Sequence, residues 1–228
     1  VTLPWLSVEG WQAVWLTLRL ATVVTVFLLL IAIPLAWGIA SIRSRWIVLL
    51  EAVVALPVVL PPTVLGFYLL ALFAPESAAG RFWFRLTGET LSFSFAGLVV
   101  GSIAYSLPFA VQPLVAAMRS VPRELLDAAR ALGGGGFAVF RRVLLPLSIR
   151  GVLVAAMLSF AHTVGEFGVV VMLGGSIPGR TRVASIALYD EVQKLDYPAA
   201  HRLAALLLAL SFVLLVPLAW LQRKSLRP

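Results

Sequence analysis

The chain has no cysteine in 228 residues and only two histidines, His162 and His201. The first absence excludes disulfides and thiolate metal sites, and histidines so far apart give no metal-ligand spacing. Charge is sparse as well, at 12% of residues. There is no internal repeat, no low-complexity tract and no linker long enough to divide the chain, so residues 1–228 read as one domain. What remains is apolar: 61% of positions are hydrophobic and the mean hydropathy is +1.01. A soluble core of this size would not bury so much apolar surface, and the chain reads as an all-α integral membrane protein.

Five stretches, at approximately 20–42, 46–74, 93–118, 151–173 and 203–222, are long enough to span a membrane. A hydrocarbon core of roughly 30 Å needs about 20 helical residues. Helix satisfies its own backbone polar groups, and the alternation of a barrel strand is absent. The stretch ahead of the first span carries Trp5, Trp11 and Trp15 and no small-residue cleavage site, so that span is expected to be retained. The tryptophans leave open a separate helix lying along the membrane surface. Pro34, Pro57, Pro61, Pro62, Pro108 and Pro113 fall inside spans. Such kinks imply a bundle around an interior, where neighbouring helices or cavity water satisfy the freed carbonyls.

The net charge of +8 would suit nucleic acid, but its distribution points to a membrane. Eleven basic residues (Arg43, Arg45, Arg119, Arg123, Arg130, Arg141, Arg142, Arg150, Arg223, Lys224 and Arg227) lie in the loop after span one, the loop between spans three and four, and the tail. The opposite loops hold six basic residues against six acids. The positive-inside bias places the N-terminus outside and the C-terminus in the cytoplasm.

Two loops are long. The cytoplasmic one, about 119–147, opens with Ser120-Val121-Pro122, where serine is expected to cap a helix favoured by Glu124 and Asp127. That helix is expected to run through Leu132 to Gly133-Gly134-Gly135-Gly136, followed by an amphipathic piece from Phe137 to Val143. The four glycines lack a following Gly-Lys-Ser/Thr, so they form a bend rather than a phosphate loop, and the chain has no nucleotide-hydrolysing site. The external loop, about 174–200, holds the turn-rich run Gly174–Thr181 and a short helix Val183–Val192. Between spans two and three, Arg81-Phe82-Trp83-Phe84 suits a water–lipid boundary.

Glu166, in Gly165-Glu166-Phe167-Gly168 within span four, cannot face lipid without a cost on the order of 2.5–3.5 kcal/mol. Pairing with a neighbouring helix or with Arg180 is the expected arrangement, and direct contact with a transported molecule is the alternative. Glu51 and Arg19 can snorkel to an interface.

The run Asp127-Ala128-Ala129, three residues, Gly133, nine residues, then Val143-Leu144-Leu145-Pro146 resembles the coupling loop of binding-protein-dependent ABC importer permeases. Their pattern is Glu-Ala-Ala, three residues, Gly, nine residues, Ile, one residue, Leu-Pro. The spacing agrees over about twenty residues, with Asp127 for Glu and Val143 for Ile as the departures. An ordinary amphipathic loop is the plain alternative. Leu56–Gly66, Gly165–Gly168 and Ser176-Ile177-Pro178-Gly179-Arg180-Thr181 further resemble the permease subunit of molybdate importers. Sulfate permeases are similar through the proline-rich segment but differ after Ile-Pro. Ser176 stands where that family commonly has Asn, and His162 where Arg is often found.

The resemblance implies a type I ABC importer permease fold that works by alternating access in the inner membrane. It implies a homodimer, two cytoplasmic ATPase subunits that carry ATP and Mg, an external binding protein, and molybdate or tungstate as cargo. No cofactor, metal or nucleic acid is implied on this chain. Glu124, Asp127, Ala128, Ala129, Gly133, Val143, Leu145 and Pro146 would couple to the ATPase. Gly165, Glu166, Phe167, Gly168, Pro178, Gly179, Arg180 and Thr181 would face the pore or the binding protein. A secondary transporter, a channel and an enzyme are the rivals, but paired interrupted repeats, an ion filter and an acid–base–nucleophile cluster are all missing.

Overall fold

The computed structural model describes residues 6–42 and 44–225, with side chains as far as Trp220. Trp5, Arg43 and Arg227 lie outside the described residues, as do the side chains of Arg223 and Lys224. Helix α1 (Val8–Ser41) starts where the Ser7 hydroxyl accepts the Gly10 amide at 3.1 Å, with Glu9 in its first turn. Its inner face runs through Leu16, Leu20, Val24, Leu28, Ala32, Ala36 and Ile39. This near i, i+4 spacing keeps one stripe on the core, and the alanines let the far end approach its neighbours closely. The expected first span therefore begins earlier than residue 20: Trp11 and Trp15 lie on the same helix, not on a separate surface helix. At 34 residues, α1 is about 51 Å long and outreaches the hydrocarbon core.

The second apolar stretch is not one span but two helices, α2 (Ile47–Val59) and α3 (Pro62–Phe73), bent by 107°. Proline disfavours helical geometry in the residue before it, and consecutive prolines hold Leu60 and Pro61 extended (ψ 134° and 132°). Pro62 then occupies the first turn of α3, where a missing N–H costs nothing. Pro34, Pro57, Pro108 and Pro113 stay inside continuous helices. The following loop contains a helix, α4 (Ala78–Thr87), capped by Ser77 and closed by left-handed Gly88.

The bundle is organised on α5 (Phe95–Arg119), which packs against α1 and α2 and against two helices later in the chain, α9 (Ile149–Val164) and α10 (Gly168–Gly174). The segment after α5 follows as α6 (Arg123–Ala131), α7 (Gly136–Val139), a π-helical turn (Phe140–Leu144) and α8 (Leu145–Leu147). The expected single fourth span is broken: α9 (Ile149–Val164) ends before Glu166, and α10 (Gly168–Gly174) is a separate helix. Helix α11 (Ala184–Gln193) agrees with its expected position to one residue at each end. Helix α12 (Tyr197–Ser225) packs against α9 and α11, and its exposed Leu208, Phe212, Val213 and Val216 give it an apolar outer face suited to lipid. Among the described residues, three helices are long and apolar enough to cross a membrane, or up to five segments if each bent pair counts once. Among the described residues no strand forms.

Candidate functional site

Helix α6 buries none of its residues, so Glu124, Asp127 and Ala128 are exposed and Ala129 is half-buried. Asp127 accepts from Arg130 at 2.7 Å, one turn along the same helix. Ser120 does not cap α6: it ends α5, its hydroxyl donates to Ala117 O, and Pro122 stands at the N-cap. The C-terminus closes when the amides of Leu132, Gly133 and Gly134 bind the carbonyls of Ala128, Arg130 and Ala129. Gly133 adopts φ +85°, which favours glycine, and a Cβ on Gly134 would meet Ala129 O at 2.6 Å.

Behind this knob, Phe140 stacks on Trp37 of α1 with ring centroids 4.4 Å apart. Val139, Phe140 and Leu144 are the buried anchors. Val143 and Leu145 are half-buried and Pro146 is exposed. The amphipathic piece expected from Phe137 to Val143 thus changes helix type partway, and the π turn puts Leu144 rather than Val143 inward. Leu132 and Phe137 are 90% and 65% exposed, leaving the knob with an uncovered apolar surface.

At the break between α9 and α10, Glu166 is 4% exposed. It does not pair with Arg180, whose guanidinium instead binds Glu89 at 3.2 Å. Ser102 is the hydroxyl beside the Glu166 carboxyl, yet neither its Oγ nor either carboxylate oxygen makes a well-formed hydrogen bond. The Glu166 carbonyl accepts from Ser185 Oγ at 2.6 Å, fastening the break to α11. A cavity of about 470 Å³ opens here, walled by Pro62, Thr63, Tyr105, His162 and the Gly165–Gly168 run. His162 shares a 2.9 Å hydrogen bond with Ser106 and stacks on Phe109 at 3.9 Å, so it is a packed wall residue.

Pro178-Gly179-Arg180-Thr181 lies beyond the other end of α10, about 10 Å of helix away from the Glu166 break, so the two expected site segments are not contiguous. Gly179 takes φ +72°, and the amides of Arg180, Thr181 and Arg182 all converge on Ile177 O. Pro178 and Arg180 are exposed. Thr181 is fully buried: its hydroxyl donates to Gly174 O at 2.6 Å and accepts from Ile177 N at 3.2 Å. It holds the turn and is not presented outward.

The residue that the sequence reading missed is Arg182. Its side chain is 7% exposed and forms ion pairs with Glu9 at 2.9 Å, Asp190 at 2.9 Å and Glu191 at 3.2 Å. It joins the start of α1 to α11. The balance of six bases and six acids on this side was the available signal, but it named no pairs.

Residues 32–225 match the family model described as the binding-protein-dependent transport system inner membrane component. The chain is 47% identical over 213 residues to the molybdenum transport system permease protein ModB of Azotobacter vinelandii, covering 93% of this chain and 94% of that one. It is 32% identical over 228 residues to the sulfate transport system permease protein CysT of Synechocystis sp., covering 96% of this chain and 79% of that one. A crystal structure of a bacterial ABC transporter involved in import of the acidic polysaccharide alginate superposes with a TM-score of 0.76 at 17% identity, covering 97% of this chain and 81% of that one. That likeness establishes the permease fold.

Proposed function

Because the chain belongs to the binding-protein-dependent transport system inner membrane component family, we propose that it is the membrane subunit of an ATP-driven importer of molybdate or tungstate. Likeness along nearly the whole chain to the Azotobacter vinelandii molybdenum permease carries this reading. The permease itself is not catalytic. Two copies surround the pathway, two cytoplasmic ATPase subunits bind ATP and Mg, and an external binding protein delivers the oxyanion. The N-terminus lies outside and the C-terminus in the cytoplasm, in keeping with the segregation of basic residues.

In this reading the knob of Glu124, Asp127, Ala128, Ala129 and Gly133, backed by Val143, Leu145 and Pro146, seats in the ATPase. The exposure of α6 supports that assignment, since a helix covered by its own chain could not dock. ATP binding draws the two knobs together, and the bundle opens outward to receive cargo. Pro178, Gly179 and Arg180 face the binding protein or the arriving anion, with Arg180 able to offer a planar fork of donors to an oxyanion. Thr181 holds that turn in place. Gly165, Glu166, Phe167 and Gly168 form pathway wall at the break.

The reading is tested by uptake into vesicles reconstituted with the ATPase and each oxyanion-loaded binding protein. Molybdate and tungstate accumulate with ATP and sulfate does not. Sulfate uptake without molybdate uptake would assign the chain to the sulfate branch, the second reading favoured by the Synechocystis relative.

A further inference from the structure

A groove of about 530 Å³ opens where α1, α2 and α5 meet, at the end of the bundle that carries α6. Its volume falls within the roughly 300–1,000 Å³ of small-ligand sites. Val48, Ala52, Ala55, Val111, Val115 and Ala116 supply most of the wall, and the alanines leave the space. One end is charged. Arg119 Nη2 meets Glu51 Oε1 at 2.5 Å and also donates to Ile39 O at 3.4 Å. Arg119 closes α5, and Glu51 lies in the second turn of α2, so the pair sits near helix ends, where the long charged side chains of spanning helices reach the membrane interface.

The two side chains remain 47% and 37% exposed. A guanidinium has five N–H donors and a carboxylate about four acceptor sites, so one mutual contact leaves most of that capacity open. A positive and a negative group therefore stand side by side above an apolar trough. A free oxyanion would use Arg119 and leave the trough empty. An anionic lipid would place nothing favourable on Glu51.

We propose that this groove holds one phospholipid with a zwitterionic phosphate–ammonium headgroup, its phosphate on Arg119, its ammonium on Glu51 and an acyl chain along the valine and alanine wall. The inference needs only the membrane setting and is independent of the cargo. The lipid wedges α2 against α1 and α5 next to the knob.

The test is lipid extraction and mass spectrometry on the permease–ATPase complex, purified in mild detergent from membranes containing phosphatidylethanolamine and phosphatidylglycerol. Phosphatidylethanolamine should be enriched about tenfold over its bulk ratio, a change corresponding to about 1.4 kcal/mol. Ala55→Phe, which fills the trough, should abolish the enrichment, and Glu51→Gln should shift retention toward phosphatidylglycerol. If Ala55→Phe fails to assemble, the isosteric Glu51→Gln decides alone. A bulk lipid ratio in the unmodified complex, or enrichment unchanged by Glu51→Gln, overturns the proposal. So does a disulfide between two copies bearing Val48→Cys, because a second copy would then cover the groove.

Discussion

Gly168 lies so close to Pro62 that a Cβ on the glycine would stand 2.7 Å from the proline Cβ. The contact joins the two breaks in the bundle, since Pro62 begins α3 and Gly168 begins α10. Gly168→Ala should push these half-helices apart and lower stability by about 1–3 kcal/mol, the usual cost of overpacking. Gly136→Ala, where nothing lies within 4 Å, should leave the unfolding temperature in detergent unchanged. Equal melting of the two variants would refute the close-packing argument.

Coupling is tested at the bend. Gly133→Val places a branched side chain at φ +85°, where left-handed geometry costs roughly 1–2 kcal/mol, before any added effect of branching. The variant should insert into the membrane normally while losing ATPase association or stimulated hydrolysis. Intact coupled hydrolysis and transport would remove the knob from the mechanism.

Arg180 and Arg182, two residues apart, should behave oppositely. Arg182→Ala leaves Glu9, Asp190 and Glu191 without their shared cation and should cost on the order of 3 kcal/mol. Arg182→Lys should recover part of this in thermal unfolding. Arg180→Ala breaks an exposed pair with Glu89, worth at most about 1 kcal/mol, and should leave melting nearly unchanged while lowering uptake of molybdate and tungstate. A loss of stability at Arg180 equal to that at Arg182 would contradict the assignment.

Topology can be read because the chain lacks cysteine. Leu132→Cys on the knob and Ser176→Cys on the turn after α10 both place a thiol at an exposed position. In intact cells an impermeant thiol reagent should label only the second. Labelling of the first alone would invert the orientation.

Those residues also show what was legible in the chain beforehand. The glycine bend at Gly133 could be read because spacing along a chain survives folding. The Pro61-Pro62 break was visible as a kink, though its 107° angle depends on what α3 packs against. Arg182 was illegible: its partner Glu9 is 173 residues distant, and only the packing of α1 on α11 brings them together. Thr181 was misread because a hydroxyl in a turn can face solvent or close the turn, and the local sequence does not distinguish these. The π turn at Phe140–Leu144 had no composition signal of its own.

Helix α6 is nine residues long and buries nothing. Isolated helices shorter than about 12–15 residues are marginal in water, so the knob on its own has a folding equilibrium close to balance. Its amides should exchange with solvent far faster than those of α5. A partner that covers Leu125, Leu132 and Phe137 would supply the missing apolar burial, and the gain in exchange protection would measure how much of the grip on the partner is spent on ordering the knob itself.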